Sequence, residues 1–234
     1  MSTIKFLLHT TIVLAVITLS TGCATKGPNI ITKGEAFPKM YAEAPRSILI
    51  LPPINESPDV EAKGYYLTTT EELFAQWGYY VFPTEITAEI MKQQGVYDTE
   101  VLYDADARKF HEYFGADAVL FARIKEWHVN YVVLASKLTV NVEAEIRSTK
   151  TNEKLWSRAS KVVVDLSGGD GGQQGLAGLL VKAVITAINT AAADYVKYAK
   201  VANGRIIYTV PFGPYSPRYM NDQAVKIYEQ KPSS

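Results

Sequence analysis

The chemistry that this chain advertises most clearly sits at its single cysteine, Cys23, in the run Leu19-Ser20-Thr21-Gly22-Cys23. Lys5 and an apolar stretch from Ile12 to Leu19 precede it. A cationic start, a short apolar run and small residues before the cysteine make an export signal, too short to span a bilayer. The pattern resembles a lipobox, in which the thiol is acylated, the chain is cut before the cysteine, and the new amine is acylated in turn. Ser20 stands where leucine is usual, with Leu19 one place earlier. An ordinary secretory signal, with Cys23 as a free thiol or small buried residue, is the alternative. Two or more acyl chains anchor a protein firmly, whereas one holds it only marginally. Ala24 follows instead of the aspartate that retains many lipoproteins in the inner membrane, so the expected site is the outer membrane, facing the periplasm. A lone cysteine excludes an intramolecular disulfide.

Other reactive side chains fall short of a motif. His111-Glu112-Tyr113-Phe114 lacks a second histidine at helical offset, and His128 has no partner at metal-ligand spacing, so no metal is expected. Glu71-Glu72 and Glu143/Glu145 are carboxylate pairs such as glycoside hydrolysis needs across a cleft, but both fit solvated faces. The run Gly168 to Gly175 precedes a helix, as a phosphate loop does, yet lacks the lysine and hydroxyl pair of a P-loop. A flexible hinge suits it better, and no cofactor is expected. Pro52-Pro53-Ile54-Asn55-Glu56-Ser57-Pro58 is the segment with most binding potential. It leaves the carboxyl end of the first apolar run, where open α/β sheets collect ligands. Its prolines stiffen the loop, and Asn55, Glu56 and Ser57 offer donors and acceptors. A binding loop of Pro52, Pro53, Asn55, Glu56 and Ser57, and a turn that merely organises the strand exit, both remain open.

The elements that must position these residues follow from periodicity. Residues 1–22 read as signal and 23–45 as a tether, with a domain over 46–203 and a proline-rich strap over 204–234. Ser47 to Leu51 is a continuous apolar run stopped by Pro52, as in a strand buried on both faces. A helix is predicted from Gly64 to Trp77, closed by Gly78, then a strand over Tyr79 to Phe82. Short helices follow, from about Thr87 to Gln94 and, capped by Asp104, from Ala105 to Phe114; Ala118 to Ala122 is a third buried strand. Strands alternating with helices imply parallel crossovers. Leu138, Val140, Val142, Ala144 and Ile146 then alternate with polar residues, giving an antiparallel strand that Lys154 to Asp165 returns through a turn at Thr149 to Glu153. An alanine-rich helix from about Leu176 to Tyr198 completes an α/β class with a mixed sheet. Its small residues leave Leu180, Ala187 and Ala191 as a candidate interface beside packing on its own sheet.

Charge narrows the partners. The chain has 24 basic and 24 acidic residues, and loss of Lys5 with the signal leaves a balance near −1. Such a balance supplies no attraction for nucleic acid or anionic lipid. The 15 tyrosines are spread along the chain, which suits core rims more than one aromatic binding surface.

Ile50 to Val60, Gly78 to Pro83 and Phe110 to Leu120, with Glu153-Lys154-Leu155-Trp156-Ser157 and Pro214-Tyr215-Ser216-Pro217, resemble a proteobacterial family of lipoproteins of unknown function. One member is a meningococcal surface lipoprotein studied as a vaccine candidate. The resemblance implies a fold similar to the amino-terminal domain of TolB and a setting beside CsgG-like lipoproteins in envelope transport or assembly. It carries over no catalytic residues. The expectation is therefore an outer-membrane-anchored periplasmic lipoprotein, a non-enzymatic part of an envelope complex, attached to the membrane by lipid and able to form a homo-oligomer. The rival classes are a module binding a periplasmic glycan, peptide or small molecule, and a hydrolase with an unrecognised site.

Overall fold

The computed structural model describes residues 29–97, 100–130, 137–165 and 195–229. Cys23, the Gly168 to Gly175 run and the candidate interface residues Leu180, Ala187 and Ala191 lie outside the described residues.

Much of the segment expected to be a tether is folded. Ile30–Thr32 forms β1, followed by helices α1 (Lys33–Ala36) and α2 (Pro38–Glu43). A capping box starts α1: Thr32 Oγ1 accepts from the Glu35 amide, and the Glu35 carboxylate accepts from the Thr32 amide at 2.8 Å. Sequence periodicity misses these elements because each is a single turn or a few strand residues, and their order comes from distant partners. β1 pairs antiparallel with β8 (Lys226–Tyr228), so the two ends of the described chain meet.

The main sheet is built from β2 (Ser47–Ile50), β3 (Ile54–Asn55), β4 (Tyr80–Val81), β5 (Ala118–Asn130), β6 (Lys137–Ser148) and β7 (Lys154–Asp165). The order is β4-β2-β5-β6-β7, with β3 also beside β5; β2 runs parallel to β4 and β5, while β5, β6 and β7 form an antiparallel meander. This is the mixed sheet expected from the alternation of apolar runs and helices. Ile48 and Ile50 face one side of the sheet with Leu120, whereas Leu49 and Leu51 face the other with Val119 and Phe121. A central strand covered on both sides has no polar face, hence the unbroken run.

On the first side lie α3 (Ala62–Gln76) and α7 (Tyr195–Ile207), burying Tyr66, Phe74, Tyr198 and Ala202 against the whole sheet, including Trp127 and Trp156. Burial of such large side chains contributes roughly 1.5–3 kcal/mol each. On the second side α4 (Thr84–Gln93), α5 (Glu100–Tyr103) and α6 (Arg108–Phe114) cover only the parallel end, burying Met91 and Phe110. The outward face of the antiparallel end is left without helices from this layer.

Several boundaries differ from those predicted. Only Tyr80 and Val81 pair in β4, because Tyr79 turns its ring into the core and donates its hydroxyl to Pro211 O at 2.8 Å. Helix α6 begins at Arg108 without a side-chain cap, and Asp106, not Asp104, accepts from the Arg108 amide at 3.0 Å. Strand β5 runs far beyond Ala122. A bulge between Ile124 and Glu126 breaks the two-residue period and returns Trp127 to the face of Ile124. Helix α7 continues past Tyr198 to Ile207, because Tyr198, Ala202 and Ile206 keep a four-residue stripe against α3 and the sheet. Beyond it the chain crosses the end of α3. Gly213 fits there because a Cβ would meet Gly78 O at 2.4 Å, and Phe212 stacks on Trp77 at 5.6 Å between ring centres.

Candidate functional site

The proline loop has a structural task of its own. Pairing of β2 with β5 ends at Ile50↔Leu120, and pairing of β3 begins at Ile54↔Arg123, so the ladder is interrupted beside Phe121 and Ala122. Pro52 and Pro53 carry no amide hydrogen and cannot fill the gap. Tyr103, at the end of α5, does so: its hydroxyl accepts from the Ala122 amide at 2.8 Å and donates to the Ala122 carbonyl. Burial pushes the Tyr103 hydroxyl up to about 12, keeping it a donor across the ordinary pH range.

Asn55 and Ser57 spend their groups locally. Asn55 donates from Nδ2 to Asp59 O at 2.7 Å, and its Oδ1 accepts from the Ser57 hydroxyl at 2.7 Å. Pro53 is buried. Glu56 reaches outward between two cations of β5, accepting from Arg123 Nη1 at 2.6 Å and Lys125 Nζ at 2.9 Å. Those hydrogen bonds, Lys125 first and Arg123 second, hold its carboxyl below the usual range.

Arg123 leads into a concave groove of about 800 Å³ on the uncovered end of the sheet. Its floor carries Arg123, Glu143, Glu145 and Arg147; Tyr103 stands on one wall, and Ile31 and Ile227 of the β1–β8 ribbon line the other. The floor is an ion-pair lattice. Glu145 is shared by Arg147 and by Lys154 at 2.7 Å, and Arg147 lies over the Phe121 ring at 5.0 Å. Further along the same face Glu126 pairs with Lys161 at 2.8 Å, which with Asn141 keeps its carboxyl low. Such a surface offers fixed charges of both signs and aromatic edges. Among the described residues, the carboxyl groups with a resolved shift, Glu35, Glu56, Asp106 and Glu126, are all shifted downward.

The remaining sequence candidates separate. Glu71 accepts from the Thr84 hydroxyl at 2.7 Å at the start of α4, while its neighbour Glu72 pairs with Lys200 on α7. His111 Nδ1 lies 3.0 Å from Ala116 O at the end of α6. Among the described residues no group of three or more His, Cys, Asp or Glu is placed to hold a metal. From the sequence alone Glu143 and Glu145 read only as a polar face. Arg147, at the next outward position, extends that alternation and was the available signal; Tyr103 and Arg123 gave none, since tertiary packing alone brings them there.

A mixed sheet with helices on both sides, the second layer stopping short of a charged groove over the antiparallel end, defines the class: an α/β domain. The chain belongs to the GNA1162-like family, whose model, described as "Putative lipoprotein GNA1162-like", matches residues 37–212. It is 32% identical over 180 residues to the protein described as "Putative lipoprotein NMB1124/NMB1162" of Neisseria meningitidis serogroup B, covering 77% of this chain and 80% of that protein. The crystal structure of lipoprotein GNA1162 from Neisseria meningitidis is similar at a TM-score of 0.50 and 34% identity, over 63% of this chain and 100% of that one. A weaker likeness, TM-score 0.35 at 16% identity over 56% of this chain and 97% of that one, is to the LpoB C-terminal domain from Salmonella enterica. Among the described residues no helix is long and apolar enough to cross a membrane.

Proposed function

We propose that this chain is an outer-membrane-anchored periplasmic lipoprotein, acylated at Cys23, that serves as a non-enzymatic docking component of an envelope assembly or transport complex. The observation that carries this reading is the groove. Charges on its floor are held in pairs, Glu145 by Arg147 and Lys154, and Arg123 by Glu56, which lies just outside it and also receives Lys125. The hydrogen bonds of Lys125 and Arg123 hold the Glu56 carboxyl below its usual range, which suits complementary recognition and not proton donation. The lipoprotein names of the relatives agree with an anchored role. The partners to seek are a CsgG-like envelope lipoprotein and a second copy of this chain.

A second reading is a module for a periplasmic peptide, glycan or small molecule. The volume of about 800 Å³ favours it, since ligand pockets commonly span roughly 300–1,000 Å³. The Pro52 to Ser57 loop then contributes through Glu56, which fixes Arg123 at the groove.

Photo-crosslinking from Glu143, exposed on the groove floor, distinguishes these readings in intact cells. The expected result is a discrete adduct with an envelope protein, lost when Cys23→Ser leaves an unacylated, unanchored precursor. Adducts confined to small ligands support the second reading. Normal processing and membrane retention of Cys23→Ser overturns the anchor.

A further inference from the structure

The β1–β8 ribbon has two unlike faces. Ile31 and Ile227 are directly opposite each other and turn inward, Ile227 being buried. Their neighbours Ile30 and Tyr228, also directly opposite, share the other face and are 54% and 55% exposed, with Tyr228 also at the rim of the groove. Opposed residues of an antiparallel pair share one face, so these side chains form a single apolar and aromatic patch. Val225 and Lys226 continue the exposed surface at the start of β8. An isolated two-stranded ribbon has little reason to display such a pair to water.

Chain length says what lies nearest. Asn29, the first described residue, is bonded to Glu229 through its backbone and side chain, at 2.9 and 2.6 Å. Cys23 is six residues earlier. Even fully extended, six residues reach only about 20 Å. The ribbon is also fixed to the domain. Just after β1, Lys33 Nζ donates to Asp222 at 3.1 Å and to Val210 O at 3.0 Å, with the two side chains only 3% and 4% exposed. An anchor at Cys23 therefore brings a rigidly held surface, not a loose arm, within reach of the lipid.

We propose that the outer face of this ribbon, centred on Ile30 and Tyr228, rests on the phospholipid surface to which Cys23 is anchored. This rests on the acylation reading above. Tyrosine suits the boundary, with its ring in the apolar zone and its hydroxyl in water. The contact is apolar, not a basic patch: Lys226 is the one basic residue of β8, and an acid, Glu229, follows the other end of the strand. Docking orients the domain: the groove, whose wall is the inner face of the same ribbon, opens beside the membrane.

The test uses the full mature chain in phosphatidylethanolamine/phosphatidylglycerol vesicles, with and without brominated acyl chains as a fluorescence quencher. Tyr228→Trp is the reporter. Ile86→Trp, on the first turn of α4 beyond the carboxyl end of β4 and at the opposite sheet edge from β7, is the control. Loss of emission on brominated vesicles for Tyr228→Trp alone, with a shift to shorter wavelength that persists at high salt, is expected. Equal emission from Tyr228→Trp on both vesicles while the protein stays bound overturns the proposal, as does equal quenching of both reporters. Intact mass reports acylation separately. Should Cys23 prove unmodified, coupling it to a maleimide lipid supplies the anchor and the same comparison decides the docking.

Discussion

Glu56 illustrates how one carboxylate links loop, sheet and pH response. In the folded protein its two cations hold its carboxyl below the ordinary glutamate range. A group with a depressed folded pKa contributes stability above its unfolded pKa and loses that contribution as pH falls through the folded value. Glu56→Gln should therefore flatten the decline of stability below about pH 4.5. Near pH 7 its effect should stay within about 1 kcal/mol, because the carboxylate is more than a third exposed and the pairs are screened. Urea midpoints of wild type and variant across that acid range check this; parallel curves would show that the pairs do not respond to acid.

At the scale of elements, the interrupted ladder between β2 and β3 matters most. Two prolines open a gap in a buried parallel sheet, and the Tyr103 hydroxyl from a one-turn helix closes it on both sides of Ala122. Tyr103→Phe keeps the ring against Phe121, at 5.3 Å between centres, but strands the Ala122 amide and carbonyl. Leaving buried backbone groups unpaired costs about 1–3 kcal/mol. Chemical denaturation should show a loss of that size, while Tyr97→Phe, at a position 82% exposed, should leave stability unchanged. The same substitution should loosen the groove wall, because Tyr103 lines it.

For the whole molecule, the decisive contact joins the two ends of its described residues. Asp222 receives Lys33, the Tyr41 hydroxyl at 3.0 Å and the Phe212 amide at 3.2 Å, while Lys33 also lies over the Phe212 ring at 5.1 Å. Desolvation lowers the Lys33 pKa despite this partner, which marks how far the ammonium is removed from water. Asp222→Asn leaves that charge uncompensated and should cost about 3–5 kcal/mol. Protease cleavage should then appear first between Val210 and Asp222. Lys33→Met combined with Asp222→Leu should recover most of the lost stability, since replacing both members of a buried pair by apolar groups is often neutral or better. No recovery in the double variant would show that the pair's hydrogen bonds, not its charges, hold the ends together.

The sequence by itself determined the central strands, the polar alternation of β6, the α3 helix and the family, because each rests on a local period or a contiguous motif. Ile48 to Leu51 needed no partner to read as buried, and Leu138 to Ile146 displayed its core face directly. Only the tertiary structure decided the ribbon, the true length of β5 and the groove. Ile30 to Thr32 becomes a strand through residues almost two hundred positions away, and the bulge near Lys125 erases the period that would have extended β5. Asn55 and Ser57 looked available in isolation, yet their nearest partners lie within their own loop. Arg123, Arg147 and Tyr103 converge because a sheet brings together residues far apart in sequence, and that spatial coincidence leaves no local signature.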